Sequence, residues 1–176
     1  IIRQFLPTVD RENLFADTDL EEVFSRLTGR EITRLENEKD PDWVYSFRRA
    51  LIGEKLYQEL VPTMRKRLHK EVARIFENTE LANHFEKSLL TALHYSNAEV
   101  PDKSCKYYLQ AGQLSREIFD NERSLMLFDK IEKILDDYRI ENADGKRIQL
   151  LEDRGNVNLL IGRYEDALRD FTAMGE

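Results

Sequence analysis

One cysteine, Cys105, is the whole thiol complement of this 176-residue chain. An internal disulfide is therefore excluded, and a reducing, cytoplasmic setting is expected. The seven glycines stand at 29, 53, 112, 145, 155, 162 and 175 and nowhere form Gly-x-x-x-x-Gly-Lys-[Ser/Thr]. No loop of this chain should cradle a phosphate, and ATP is not expected to bind it directly. His69, His84 and His94 never stand at i, i+4 spacing, and with one cysteine they make no zinc set, so neither metal nor cofactor is expected. No apolar run approaches the ~18 residues of a membrane span, and no secretory signal opens the chain. Positive charge is also short: 27 Lys and Arg against 34 Asp and Glu leave a net charge of −7, which disfavours nucleic acid as the main partner.

What the chain does have is 41% hydrophobic and 35% charged residues with only four prolines. That balance suits a real core carried by helices with solvated outer faces. Two regions separate near Val61–Pro62. In the first, 1–61, Asp19 can cap a helix whose apolar positions are Leu20, Val23, Phe24 and Leu27, ending at Gly29. Strand candidates follow at 31–35 and 43–47, on either side of a polar turn at 37–42. A helix then runs from about Arg49 to Leu60, before Pro62. Helix, strand, turn, strand, helix is the layout of a winged-helix unit.

From Thr63 onward, in the second region 62–176, the periodicity predicts helices only. Met64, Leu68, Val72, Ile75 and Phe76 form one apolar stripe. Further helices are expected over 81–95, from Pro101, from Asn121 as a cap, over 145–161, and from Arg163. The last pair carries Gly155, then Gly162-x-Tyr164-x-x-Ala167-x-x-x-Phe171. This resembles the second half of a tetratricopeptide helical hairpin, in which the first glycine permits close helix approach and the second makes the turn. Tyr164 and Ala167 are expected to pack inward and Phe171 to close the hairpin. Gly112, Ser124 and Phe128 repeat the spacing: the small residues are 12 apart in both copies, and the aromatic follows four later. The copies lie 43 residues apart, and the polar run at 136–145 accounts for the excess over the roughly 34 of a strict repeat. The fold class expected is therefore mainly α: tetratricopeptide-like hairpins after a small winged-helix unit with a short β-hairpin.

A longer series resembles a known class. Phe47-x-Arg49-x-Leu51-Ile52-x-Glu54-x-x-Tyr57 is followed by Arg65-x-x-Leu68-His69-x-x-Val72-Ala73-x-x-x-Glu77. Then come His94-Tyr95, Tyr107-Tyr108-Leu109-x-Ala111-Gly112 and Asn121-Glu122-x-Ser124-x-x-x-Phe128. The series is similar to the region that follows the nucleotide-binding module in STAND-class signalling ATPases, including multidomain adenylyl cyclases. The resemblance spans about Phe5 to Phe171. It implies an ATPase module before Ile1 and further repeats after Glu176, with ATP held only by that module. Arg49 departs from the family pattern, which has His there, so nucleotide sensing through that position lacks its usual residue. The chain, which opens without Met, is expected to be a fragment of a longer protein.

The implied function is a non-catalytic regulatory and protein-interaction segment. The alternative is a DNA-binding transcriptional regulator that uses the winged helix, although Asp19, Glu21 and Glu22 on its candidate recognition helix would repel phosphates. No paired catalytic carboxylates in a strand–turn setting support an enzyme. Stacked hairpins usually receive partners on their first helices. That places Lys106, Gln110, Gln113, Asn156 and Asn158 as candidate contacts for a protein partner. A second candidate is the basic cluster Arg65, Lys66, Arg67, Lys70 and Arg74, a docking strip for acidic groups of a neighbouring domain.

Overall fold

The computed structural model describes residues 33–35, 45–47, 50–79 and 83–175, and these are mainly helical. The chain divides into two compact units, Ile1–Ile75 and Phe76–Glu176. The division falls inside a helix rather than at the Val61–Pro62 step. The helix expected over 20–27 lies outside the described residues, as does the turn at 37–42.

In the first unit, β1 (Thr33–Leu35) and β2 (Tyr45–Phe47) pair antiparallel, with Thr33 opposite Phe47 and Leu35 opposite Tyr45. Helix α1 (Ala50–Glu59) stops short of Pro62, which then opens α2 (Pro62–Asn78). Proline suits that first position because its missing N–H would have had no intrahelical partner. The α2 stripe grades along the helix: Met64, Leu68 and Val72 are half-buried, and Ala73, Ile75 and Phe76 are buried.

The second unit continues as α3 (His84–Asn97), α4 (Pro101–Glu117), α5 (Asn121–Asp137), α6 (Ala143–Leu160) and α7 (Tyr164–Ala173). Each packs on the next in sequence. The Asn83 side chain caps α3 by accepting from the Glu86 N–H at 3.0 Å. The cap of α5 is Asp120, one residue before the Asn121 expected from sequence; its carboxylate accepts from the Arg123 N–H at 3.2 Å. One buried cluster runs through the unit, from Ala92, Cys105 and Tyr108 through Leu125, Phe128 and Ile131 to Leu150 and Val157.

Three helix crossings in this unit share one construction. Their small residues are Ala92 and Ser104, Gly112 and Ser124, and Gly155 and Ala167; Tyr108, Phe128 and Phe171 stand four residues beyond. The Ser104 hydroxyl donates to the Ala92 carbonyl at 3.1 Å, and that of Ser124 to the Gly112 carbonyl at 2.8 Å. A Cβ on Gly112 would lie 2.5 Å from Phe128 Cε1, and one on Gly155 would lie 2.7 Å from Phe171 Cε1. Neither distance is tolerable without movement, so the backbone approaches as closely as it does because the side chain is missing.

The turns repeat as well. Each is three residues long, at 98–100, 118–120 and 161–163, with a left-handed central residue: Glu99 (φ 54°), Phe119 (φ 60°) and Gly162 (φ 79°). The N–H of Val100, Asp120 and Arg163 returns to the carbonyl of Tyr95, Ser115 and Asn158 at 2.9, 2.9 and 2.8 Å. This six-to-one closure satisfies a carbonyl that the helix end would otherwise leave open. The Ala92–Ser104 crossing has no glycine and went unnoticed in the sequence. The link from α5 to α6 is five residues long with Asn142 left-handed (φ 53°), only two residues more than the turns. Contrary to expectation, the polar run at 136–145 therefore does not account for the long spacing between the glycine-based copies; most of the excess lies in the helices, 17 residues in α5 and 18 in α6.

Candidate functional site

The first helices of the two glycine-based hairpins, α4 and α6, are tied by one carboxylate. Asp153 is buried, and it accepts from Gln113 Nε2 at 2.8 Å and from Arg116 Nη1 at 3.0 Å. Gln113, expected to face a partner, is thus half-buried and engaged within the unit. Lys106 and Gln110 are exposed on α4, with the Lys106 ammonium 5.2 Å from the centre of the Tyr107 ring. Asn156 is half-buried. Asn158 does not join them: it is buried, and its amide donates to Asp170 at 3.1 Å. Two residues apart on a helix means about 200° of rotation, so Asn156 and Asn158 cannot share a face. Of the residues expected in the groove, Lys106 and Gln110 are exposed and Asn156 is half-buried.

Asn158 belongs to a charged cluster between α5, α6 and α7. Arg154 forks to Glu132 (2.7 and 3.1 Å) and to Asp170 (2.7 and 3.1 Å), and Asp129 lies 3.6 Å away. An open cavity of about 360 Å³ lies over this cluster and is rimmed by Arg163, Asp166 and Arg169. Burial works against the Arg154 charge, but the hydrogen bonds it donates to Glu132 and Asp170 outweigh it and raise its pKa. One guanidinium holds Glu132 of α5 and Asp170 of α7 from its place on α6, so the cluster works as a staple joining three helices. The sequence held one signal of it. Asp170 lies between Ala167 and Phe171 on the inward side of α7, where a carboxylate needs a cation to be tolerated.

A second polar cluster secures the first crossing. Glu77, in the last turn of α2, accepts from the hydroxyls of Tyr95 and Tyr107 (2.8 Å for the latter) and from Lys103 at 2.8 and 3.0 Å. Lys103 also donates to the Tyr95 hydroxyl at 2.9 Å, and the two tyrosine rings stack. Burial pushes the Glu77 carboxyl up, but the hydrogen bonds from Lys103, Tyr95 and Tyr107 outweigh it and hold the pKa below the ordinary carboxylate value. Burial and the Glu77 carboxylate push both tyrosines up, so neither hydroxyl is poised to act as a base. Cys105 is buried, and its thiol is pushed up to about 11, so it stays protonated at neutral pH and is a poor nucleophile.

The basic cluster on α2 lies in the first unit and divides by helix angle. Arg67, Lys70 and Arg74, at i, i+3 and i+7, share one exposed face, with Arg74 paired to Glu71 at 3.0 Å. Arg65 is half-buried on the opposite side, 5.7 Å from the centre of the Tyr57 ring, while half-buried Lys66, four residues before Lys70, borders the strip. Among the described residues no group of His, Cys, Asp and Glu could hold a metal ion, and no helix is long and apolar enough to cross a membrane. Compared with protein-family models, curated proteins and solved structures, the chain matches none.

Proposed function

We propose that this chain is a non-catalytic regulatory and protein-interaction segment of a larger signalling ATPase of the STAND class, with tetratricopeptide-like hairpins following a winged-helix unit. The observation that carries the reading is the threefold crossing: small residue, small residue twelve on, aromatic four further, and a left-handed three-residue turn between. A construction repeated with the same internal spacings packs successive helices in the same way, and stacks of such hairpins present extended surfaces to partners. The two polar clusters are satisfied internally and join helices, which suits a scaffold better than a reaction centre. Lys106 and Gln110, with Asn156 less exposed, are the groove positions offered to a protein partner, and Arg67, Lys70 and Arg74 form the strip offered to a neighbouring acidic domain.

The coding sequence upstream of Ile1 provides the test. A strand followed by Gly-x-x-x-x-Gly-Lys-[Ser/Thr] and a helix is expected there; a reading frame with no such module overturns the assignment. In calorimetry the 176-residue chain alone should take up no ATP. Titration with duplex DNA should show no steep salt-dependent binding, and a steep slope would favour the transcriptional-regulator alternative.

A further inference from the structure

The three matched turns differ in what they hold out to solvent. At their first positions Ala98 is buried and Ile161 is half-buried against the core of the second unit, whereas Ile118 is 66% exposed. At their left-handed central positions stand Glu99, Phe119 and Gly162, and Phe119 is 83% exposed. A left-handed backbone disfavours every residue with a Cβ, and the sister turn shows that glycine closes the same loop. Phe119 therefore bears strain without gaining burial, and strain kept where the fold does not need it points to function. Its exposure is also not an effect of place in the stack. Tyr164, expected to pack inward, is 67% exposed, but it stands on α7, beside which no further helix lies among the described residues. The 118–120 turn has α3 before its hairpin and α6 and α7 after it.

From this we infer that the Ile118–Phe119 turn is an anchor for a protein partner that offers an apolar pocket with a basic rim. The turn is rigid before it binds: the N–H groups of Phe119 and Asp120 return to the carbonyls of Arg116 and Ser115, both at 2.9 Å, and the Asp120 carboxylate caps α5. A preorganised aromatic loses little freedom on docking, and buried aromatic anchors carry much of the energy of interfaces. The size suits an anchor rather than a flat interface. A Phe side chain carries roughly 150–250 Å² and an Ile somewhat less, so the pair exposes on the order of 300 Å², against about 800 Å² per partner in a standard interface. The remainder comes from polar surface around the turn, and within 116–123 the uncompensated charge is of one sign. Arg116 is held by Asp153 at 3.0 Å and Arg123 by Asp120 at 3.3 Å. Glu117 and Glu122 are exposed and have no ion pair among the described residues. Two such carboxylates flanking the apolar pair call for Lys or Arg on the partner. They also disfavour a membrane, whose anionic headgroups would repel them.

This inference does not rest on the signalling-ATPase reading, and it concerns a different surface from the groove positions on α4 and α6. The test places p-benzoylphenylalanine, a photo-crosslinking side chain, in place of Phe119 in the full chain, expressed in the cells that naturally make it. Irradiation should give one discrete protein adduct, and the crosslinked segment of the partner should be apolar with Lys or Arg beside it. The same analogue in place of Tyr138, at the other end of the 17-residue α5 and so about 25 Å away, should not give that adduct. F119G should lose the partner while melting no lower than the wild-type chain, which separates binding from folding. The double variant E117K/E122K should bind the identified partner at least tenfold more weakly, and added salt should weaken the wild-type complex. No protein adduct at 119, lipid adducts alone, the same adduct from 138, or an acidic crosslinked segment overturns the proposal. So does a partner held equally well by F119G or by E117K/E122K, or an F119G chain that melts lower, since the ring would then serve the fold.

Discussion

Phe128 and Phe171 hold the same place in two hairpins, each with its ring against a glycine of the facing helix, yet Phe128 is wholly buried and Phe171 keeps 37% of its surface open. The hairpins use the same spacing and the same turn. They differ in what lies on the other side of the second helix: α6 covers α5, whereas among the described residues no further helix covers α7. The glycine–aromatic crossing is thus a local device that forms with or without a third helix. Burial of the aromatic is the contribution of the next helix in the stack. In a stack of this kind each interface is stabilised mainly by its immediate neighbours.

Truncating the rings probes this difference most strongly. F128A should cost about 3–5 kcal/mol, the range for a large aromatic removed from a closed core, and F171A about 1–3 kcal/mol, because part of its area already faces water. Chemical denaturation would measure both; equal losses would break the comparison. Adding a methyl group probes the same contacts from the other side. G112A should be destabilising by about 1–3 kcal/mol, since the Phe128 ring it meets is enclosed. G155A should be close to neutral. The Phe171 ring can swing toward solvent, and replacing a mid-helix glycine returns about 1 kcal/mol of helix propensity. A G155A variant as unstable as G112A would show that the outer ring is fixed as firmly as the inner one.

The turns give a smaller effect of opposite sign. Phe119 holds φ at 60° with 83% of its surface exposed, where the sister turn has Gly162. A left-handed conformation costs a side-chain-bearing residue roughly 1–2 kcal/mol, so F119G should raise the melting temperature and G162A should lower it by a similar amount. A cooler melt for F119G would mean that the phenylalanine makes a stabilising contact outweighing its strain.

The smallest effect separates the first crossing from the other two. Glu77 has a lowered pKa in the folded state, so the unfolded chain takes up the proton first. Its contribution to stability is therefore full above the ordinary carboxylate value and is lost as pH falls through the lower folded value. The acid limb of a stability–pH profile should flatten in E77Q. An unchanged limb would show that Glu77 does not contribute to the acid sensitivity.

Periodicity and punctuation made most of the helices legible. Pro101 starts a helix as expected, Pro62, read as the stop of the helix before it, also opens the next one, Gly162 makes a turn, and the apolar stripe of α2 runs inward where its spacing placed it. Helix ends moved by up to three residues: the helix expected over 81–95 is His84–Asn97, because the Asn83 side chain sets where it begins. The candidate site was legible only in part. Lys106 and Gln110 are exposed as their helix positions suggested, while Gln113 is engaged by Asp153, forty residues on, and Asn158 by Asp170, twelve residues on across a turn. Which polar residues are consumed inside the unit depends on how neighbouring helices are set against each other. A pattern read along one helix carries no record of that.

By itself, then, the sequence determined the local events: where helices form, where small residues permit close approach, and which rings meet which glycines. These follow from backbone sterics and from spacings of twelve and four residues that survive in any helical hairpin. The tertiary structure decided the rest. It made Tyr164 a surface residue, turned Asp153, Arg154 and Asp170 into buried ties, and gave the Ala92–Ser104 crossing the same form as its neighbours without a glycine to announce it. Burial and charge compensation are properties of a site surrounded by several helices, and the number of helices around a residue is fixed only when the stack is assembled.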